Sequence, residues 1–350
     1  MATLTWWCVA AASFLSVVKC APQVGGLEHT HREAATSRDI SEEDAMLTSE
    51  QQRPVEERKA IAGTRHHWPP GPDGWPLVPY IFVNISLSRR KLISEGLNHW
   101  MKHTCIKFKE TTNTSGPHLR FIDGPKCWSH VGLVSRTGQD ISLGSCCQEL
   151  GTVIQQVGHA LGLNHEHSRP DRDDHIHVNT ENIIPDKLGR FKKLTEKVIN
   201  TYGVPYDFTS IMHYASRAFS RKGRLTIATK NLLYQGLLGQ RDGLSHRDKL
   251  LVNRMYNCTG KWLKNYGLCI DPCENEGYTG ANSTCICRHG TSGEHCELVT
   301  GGYYGFINTT NYRGFISVNT PRGFINKDSL TGSKSAVSHE ESGGLRAIHK

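Results

Sequence analysis

Past its first twenty residues, this 350-residue chain has no apolar run approaching the ~18 residues that a membrane-spanning helix needs. The mature chain is therefore expected to lack a membrane span. It also lacks any basic cluster interleaved with aromatics: 41 Lys and Arg face 33 Asp and Glu, and the formal charge of +8 is spread along the length. That distribution argues against nucleic-acid binding and reads as an ordinary secreted-protein surface. What is present is enough apolar composition, 37%, for one sizeable core and smaller modules. The single long apolar stretch, Trp6 to Val18, is followed by Lys19, Cys20 and Ala21. It is short for a span and has small residues at a cleavage position, so residues 1–20 read as a signal peptide. No Lys or Arg precedes its core, and a signal anchor is the alternative.

A further absence is chemical. The stretch from Gln155 to Asp173 carries the frame H-E-x-x-H-x-x-G-x-x-H, in which two His stand four apart on one helix face. Gly then turns the chain away and a third His completes the metal ligands. His159, Gly162 and His165 fall on schedule, but Gln155 stands where the first His belongs and Gln156 where the general-base Glu belongs. An amide cannot accept the proton of a metal-bound water, and losing a positioned base typically removes about 10²–10⁴ of rate. Gln155 offers only a neutral amide oxygen, and zinc affinity is expected to fall by at least the ~10–100-fold that even outer-shell losses cause. Glu149 lies six residues before Gln155 and is no substitute.

The run His165-Glu166-His167-Ser168-Arg169-Pro170-Asp171-Arg172-Asp173 closely resembles the astacin family of metzincin zinc proteases. So do Ser210-Ile211-Met212-His213-Tyr214, which resembles its Met-turn, and Gly239 to Ser245 with Asp248, Asn253, Tyr256 and Cys258. Cys105 to Phe108, Cys127-Trp128-Ser129 and Ile141 to Gly144 extend the likeness to the amino-terminal half. The resemblance implies an α+β fold: a two-lobed domain with a mixed sheet above a cleft, an active-site helix beneath it, and a largely irregular lower lobe from about Pro170 to Cys258. It implies one zinc per chain, held weakly or not at all by His159, His165, Tyr214 and, as a poor ligand, Gln155. Met212 is the expected floor of that site, and Glu166 the buried anchor of a mature amino terminus. The implied pairings are Cys105–Cys258, Cys127–Cys147 and Cys287–Cys296.

Local patterns agree with that outline. Val78 to Val83 is β-branched and aromatic and predicts a strand. Leu87 to Lys102 has Leu92, Ile93, Leu97, Trp100 and Met101 at helical spacing. Residues 21–59 read as a prosegment, in which Asp44 of Ser41-Glu42-Glu43-Asp44 loosely matches the family's zymogen-switch Asp, and Arg58-Lys59 before Ala60 is a processing site.

The peptidase-like domain is expected over 60–258 and a small disulfide-rich module over 265–297. Cys269, Cys273, Cys285, Cys287 and Cys296 resemble an EGF-like module, one cysteine short of its six. Cys146 is an extra cysteine beside Cys147; it either clamps the module by pairing with Cys269 or remains a free or intermolecular thiol. The tail, 298–350, repeats Gly-Phe-Ile at Gly305, Gly314 and Gly323, every nine residues, too short a unit to form a core. The module and tail are candidate protein-binding elements. Sequons at Asn84, Asn113, Asn282 and Asn308 are expected glycosylation sites. Ten cysteines outside the signal peptide fit an extracellular protein.

Two functions compete. One is a secreted astacin-like homologue, inactive or severely impaired, that holds a peptide ligand in its cleft. The alternative is an active zinc endopeptidase cleaving extended polypeptides.

Overall fold

The computed structural model describes residues 45–46, 66–124, 126–144, 147–196 and 198–300. The signal peptide, Asp44, the Arg58-Lys59 site, Cys146, Asn308 and the tail repeats lie outside them. A six-stranded mixed sheet runs in the order β1 (Ala45–Met46), β5 (Cys127–His130), β6 (Gln139–Leu143), β4 (Leu119–Ile122), β2 (Leu77–Val83), β3 (Lys107–Glu110). Strands β3, β2, β4 and β6 pair in parallel, while β5 turns back antiparallel to β6. The expected strand at Val78 is thus β2, and it lies inside the sheet.

Helix α1, Leu87–His103, crosses from β2 to β3. Its Ile93, Leu97 and Trp100 are buried, three to four residues apart, so one apolar stripe faces the core. Lys102 and His103 in the last turn suit the negative end of the helix dipole. Against α1 packs α2, Leu150–Ala160. The approach is close enough that a Cβ on Gly96 would stand 2.6 Å from Val153 Cγ1. Trp100 Nε1 donates to the Ile154 carbonyl at 3.0 Å, fixing the rotation of α2 about its axis.

Two hydrophobic clusters account for the two lobes. The larger joins the sheet with α1 and α2 through Trp100, Leu119, Phe121, Ile141 and Ile154, among others. The smaller gathers Ile176, Phe191, Tyr206, Phe208, Tyr214, Ile227 and Leu237. Around it the chain is mostly short 3-10 turns and one small ladder, β7 (Ile176–Val178) with β8 (Ile227–Thr229). The lower lobe ends sooner than Cys258, however. Helix α3, His246–Met255, returns to the upper cluster, where Val252, Met255 and Tyr256 are buried. Val252 and Met255 of α3 face the sheet's core, and the Cys105–Cys258 bridge ties the helix end to the end of α1.

Helix α4, Cys258–Asn265, leads into the cysteine-rich segment with Trp262 in the upper cluster. There Cys273–Cys285 and Cys287–Cys296 are bridged, Cys269 is also disulfide-bonded, and two two-stranded ladders form, β9–β10 and β11–β12. Strand β12, Leu298–Val299, pairs with β11, Thr291–Ser292. Residues 298 and 299 therefore belong to this segment and not to the tail. Cys127–Cys147 closes as the resemblance implies.

Candidate active site

Helix α2 delivers the site. Gln155 is 3% exposed, Gln156 1% and His159 0%, in a helix buried all round from Val153 to Ala160, and the four-residue spacing puts the Gln155 amide on the face that carries His159. The helix ends in a Schellman turn: Gly162 N–H donates to the His159 carbonyl at 2.8 Å and Leu163 N–H to the Gly158 carbonyl at 3.0 Å. Gly162 sits at φ +109°, a conformation that side chains with a Cβ rarely adopt, which is why the frame has glycine there.

The turn carries the chain back so that His165 faces His159, with ring centroids 4.6 Å apart and planes at 79°. His159 Nδ1 lies 2.8 Å from the Leu163 carbonyl. A carbonyl only accepts, so Nδ1 bears the hydrogen and Nε2 is the nitrogen that would serve a metal. Tyr214 approaches from the lower lobe, its ring 4.4 Å from that of His165. Below them, a Cβ on Gly158 would lie 3.0 Å from Met212 Sδ, so the Met-turn packs directly under α2. Glu166 N–H donates to the Met212 carbonyl at 3.1 Å and joins the third-histidine loop to that turn.

Behind this face lies a buried polar layer. Glu166 Oε1 accepts from Arg169 Nη1 at 3.2 Å and from Asp207 N–H at 2.8 Å. Burial pushes its carboxyl up to about 8 despite the neighbouring guanidinium. Arg169 also forks onto Asp171 at 2.9 and 2.8 Å. His167 stacks on Tyr214 at 4.1 Å and is held neutral by burial. His213 is likewise lowered to about 4 by burial, with Nδ1 donating to the Tyr214 carbonyl and Nε2 accepting from Tyr206 Oη, both at 2.7 Å.

Sequence reasoning gave no role to Asp248. It accepts from Ser210 Oγ at 2.6 Å and Ile211 N–H at 2.9 Å, and so holds the Met-turn. It also forms a capping box with Ser245, and that Ser-x-x-Asp spacing is the signal that points to it.

The donors do not complete a catalytic zinc set. His159 and His165 converge, but Gln155 replaces the third imidazole. Among the described residues no group of three or more His, Cys, Asp and Glu is arranged to hold a metal ion. Such a centre needs three protein ligands and an open position.

The fold and the remaining frame define a metzincin-type zinc-protease scaffold. The astacin peptidase family profile matches residues 64–257, and the chain belongs to the astacin family. It is 36% identical over 272 residues to Protein SpAN of Strongylocentrotus purpuratus, covering 73% of this chain and 43% of that protein. It is 36% identical over 291 residues to zinc metalloproteinase nas-30 of Caenorhabditis elegans, covering 77% and 36% respectively. The chain thus spans less than half the length of these relatives. Among solved structures it resembles high choriolytic enzyme 1, a hatching enzyme zinc-protease from Oryzias latipes. That match has a TM-score of 0.53 and 31% identity, over 57% of this chain and 99% of that one.

Of the other expected features, Asn84, Asn113 and Asn282 are exposed. Among the described residues no helix is long and apolar enough to cross a membrane.

Proposed function

We propose that this chain is a secreted astacin-like protein that binds extended polypeptide in its cleft and cleaves it very poorly or not at all. The observation that carries the reading is the burial of Gln155 and Gln156 on α2, in the positions of the first ligand and the general base. The fold around them supports a loss confined to the chemistry, since neither amide takes a proton from water.

Retention of binding is supported by the sheet edge. Ala45 and Met46 lie parallel on β5, in register with Ser129 and His130. With residues 21–59 removed as a prosegment, β5 becomes the edge of the sheet and can accept an added extended chain through its backbone, as strand-addition recognition requires. A dye-labelled extended peptide should bind the processed protein in a fluorescence-anisotropy titration and be recovered intact by mass spectrometry. Absence of binding, or recovery of fragments, would count against the reading. Residual zinc-dependent cleavage is the second reading, favoured by the intact packing of Met212 under Gly158.

Four disulfides among the described cysteines support an oxidising, extracellular destination. We read residues 1–20 as a cleaved signal, 21–59 with Asp44 as a prosegment, the segment from Cys269 as EGF-like, and the exposed sequons as glycosylated. Amino-terminal sequencing of the secreted chain and its mass before and after deglycosylation test the cleavage sites and the sugars. Non-reducing peptide mapping tests the Cys146–Cys269 clamp.

A further inference from the structure

The cysteine-rich segment meets the peptidase-like domain around Glu276, whose carboxylate is the charged part of that contact. Arg247, in the first turn of α3, has a side chain only 9% exposed, and Glu276 faces it at 27%. Arg247 Nε donates to Glu276 Oε2 and Nη2 to Oε1, both at 2.7 Å, a two-pronged pair. Next to it, His246 Nε2 donates to the Glu276 carbonyl at 2.7 Å. The turn that presents Glu276 is itself committed: Asn275 and Glu276 stand at φ +50° and +66°. Asn275 Nδ2 donates to the Cys296 carbonyl at 2.9 Å, and Arg288 Nε to the Asn275 carbonyl at 3.0 Å. Two residues on, Tyr278 is buried with Val204 and Leu250 of the peptidase-like domain.

The same helix turn reaches the candidate site by three routes. Arg247 Nη1 donates to the Tyr206 carbonyl at 2.7 Å, and the Tyr206 hydroxyl donates to His213 of the Met-turn. Asp248, adjacent to Arg247, holds Ser210 and Ile211. Ser245 Oγ donates to Asp207 at 2.5 Å, in the layer behind Glu166. A nearly buried guanidinium deprived of its carboxylate is left as an uncompensated charge, which displaces the element carrying it.

We propose that the cysteine-rich segment is a brace for the cleft: Glu276 is a positioning residue that, through Arg247, fixes the first turn of α3 and with it the Met-turn beneath His159 and His165. The role is independent of whether the cleft cuts or only binds. It predicts that damage at Glu276 appears in residues 210–214, far along the chain, before it appears in the sheet.

The test is hydrogen exchange on the full secreted chain, comparing Glu276→Gln with the exposed control Glu274→Gln. Glu276→Gln should raise exchange at Ile211, Met212 and His213 by about tenfold, the size expected for losing a charge-assisted bond, with β4 and β6 unchanged. Glu274→Gln should leave all of these as in wild type. A rise confined to residues 269–299 would overturn the proposal, because the segment would then be a passenger. A rise spread equally over β4 and β6 would overturn it too, since the effect would be global loss of stability. Should Glu276→Gln not accumulate, Arg247→Lys, which keeps the charge and removes the two-pronged contact, is read by the same criteria.

Discussion

The rings of His159 and His165 meet at 4.6 Å while Gln155, one helical turn before His159, brings an amide to the same buried face. Two imidazoles with no third make a poor zinc site. Gln155→His is expected to raise zinc affinity by at least about 10–100-fold, measured by calorimetry against a competing chelator. Equal affinities would show that Gln155 already serves as a full ligand.

Gly96 is required by the contact between α1 and α2. Gly96→Ala places a methyl 2.6 Å from Val153 Cγ1, and the overpacking should cost about 1–3 kcal/mol in denaturant unfolding. Adding Val153→Ala should recover part of that loss, because the two changes share one space. Strict additivity would mean that the strain is relieved elsewhere.

Much of this was legible because it is local. The spacing of Ile93, Leu97 and Trp100 marks α1, and the His159-Gly162-His165 frame marks the end of α2, since helix periodicity and a Schellman glycine are written in adjacent residues. The Met-turn and two bridges of the peptidase-like domain came from the family likeness. Contacts between residues far apart in the chain were not legible. Nothing in the neighbourhood of Glu276 signals Arg247, 29 residues away, because a buried ion pair has no period. The return of α3 to the upper core was missed for the same reason: its apolar positions predict a buried face without saying which lobe buries it.

Burial holds His67 at about 4, with its ring 4.9 Å from that of Tyr256. The unfolded chain protonates the same ring near 6.5, so the native state binds fewer protons between those values. The stabilising contribution is full above 6.5 and is lost as pH falls toward 4. His67→Gln should therefore flatten the fall in stability over that window, read from urea melts at several pH values. An unchanged slope would mean that His67 protonates in the folded chain as readily as outside it.

Gln155 and Gln156 decide whether the cleft cuts, and hydrolysis of a quenched fluorescent peptide reads that outcome. The processed wild-type chain is to be assayed with zinc supplied, beside the double variant Gln155→His with Gln156→Glu. The account predicts no measurable cleavage by wild type and cleavage, abolished by a chelator, by the double variant. Chelator-sensitive cleavage by wild type at a rate comparable to the double variant would contradict it.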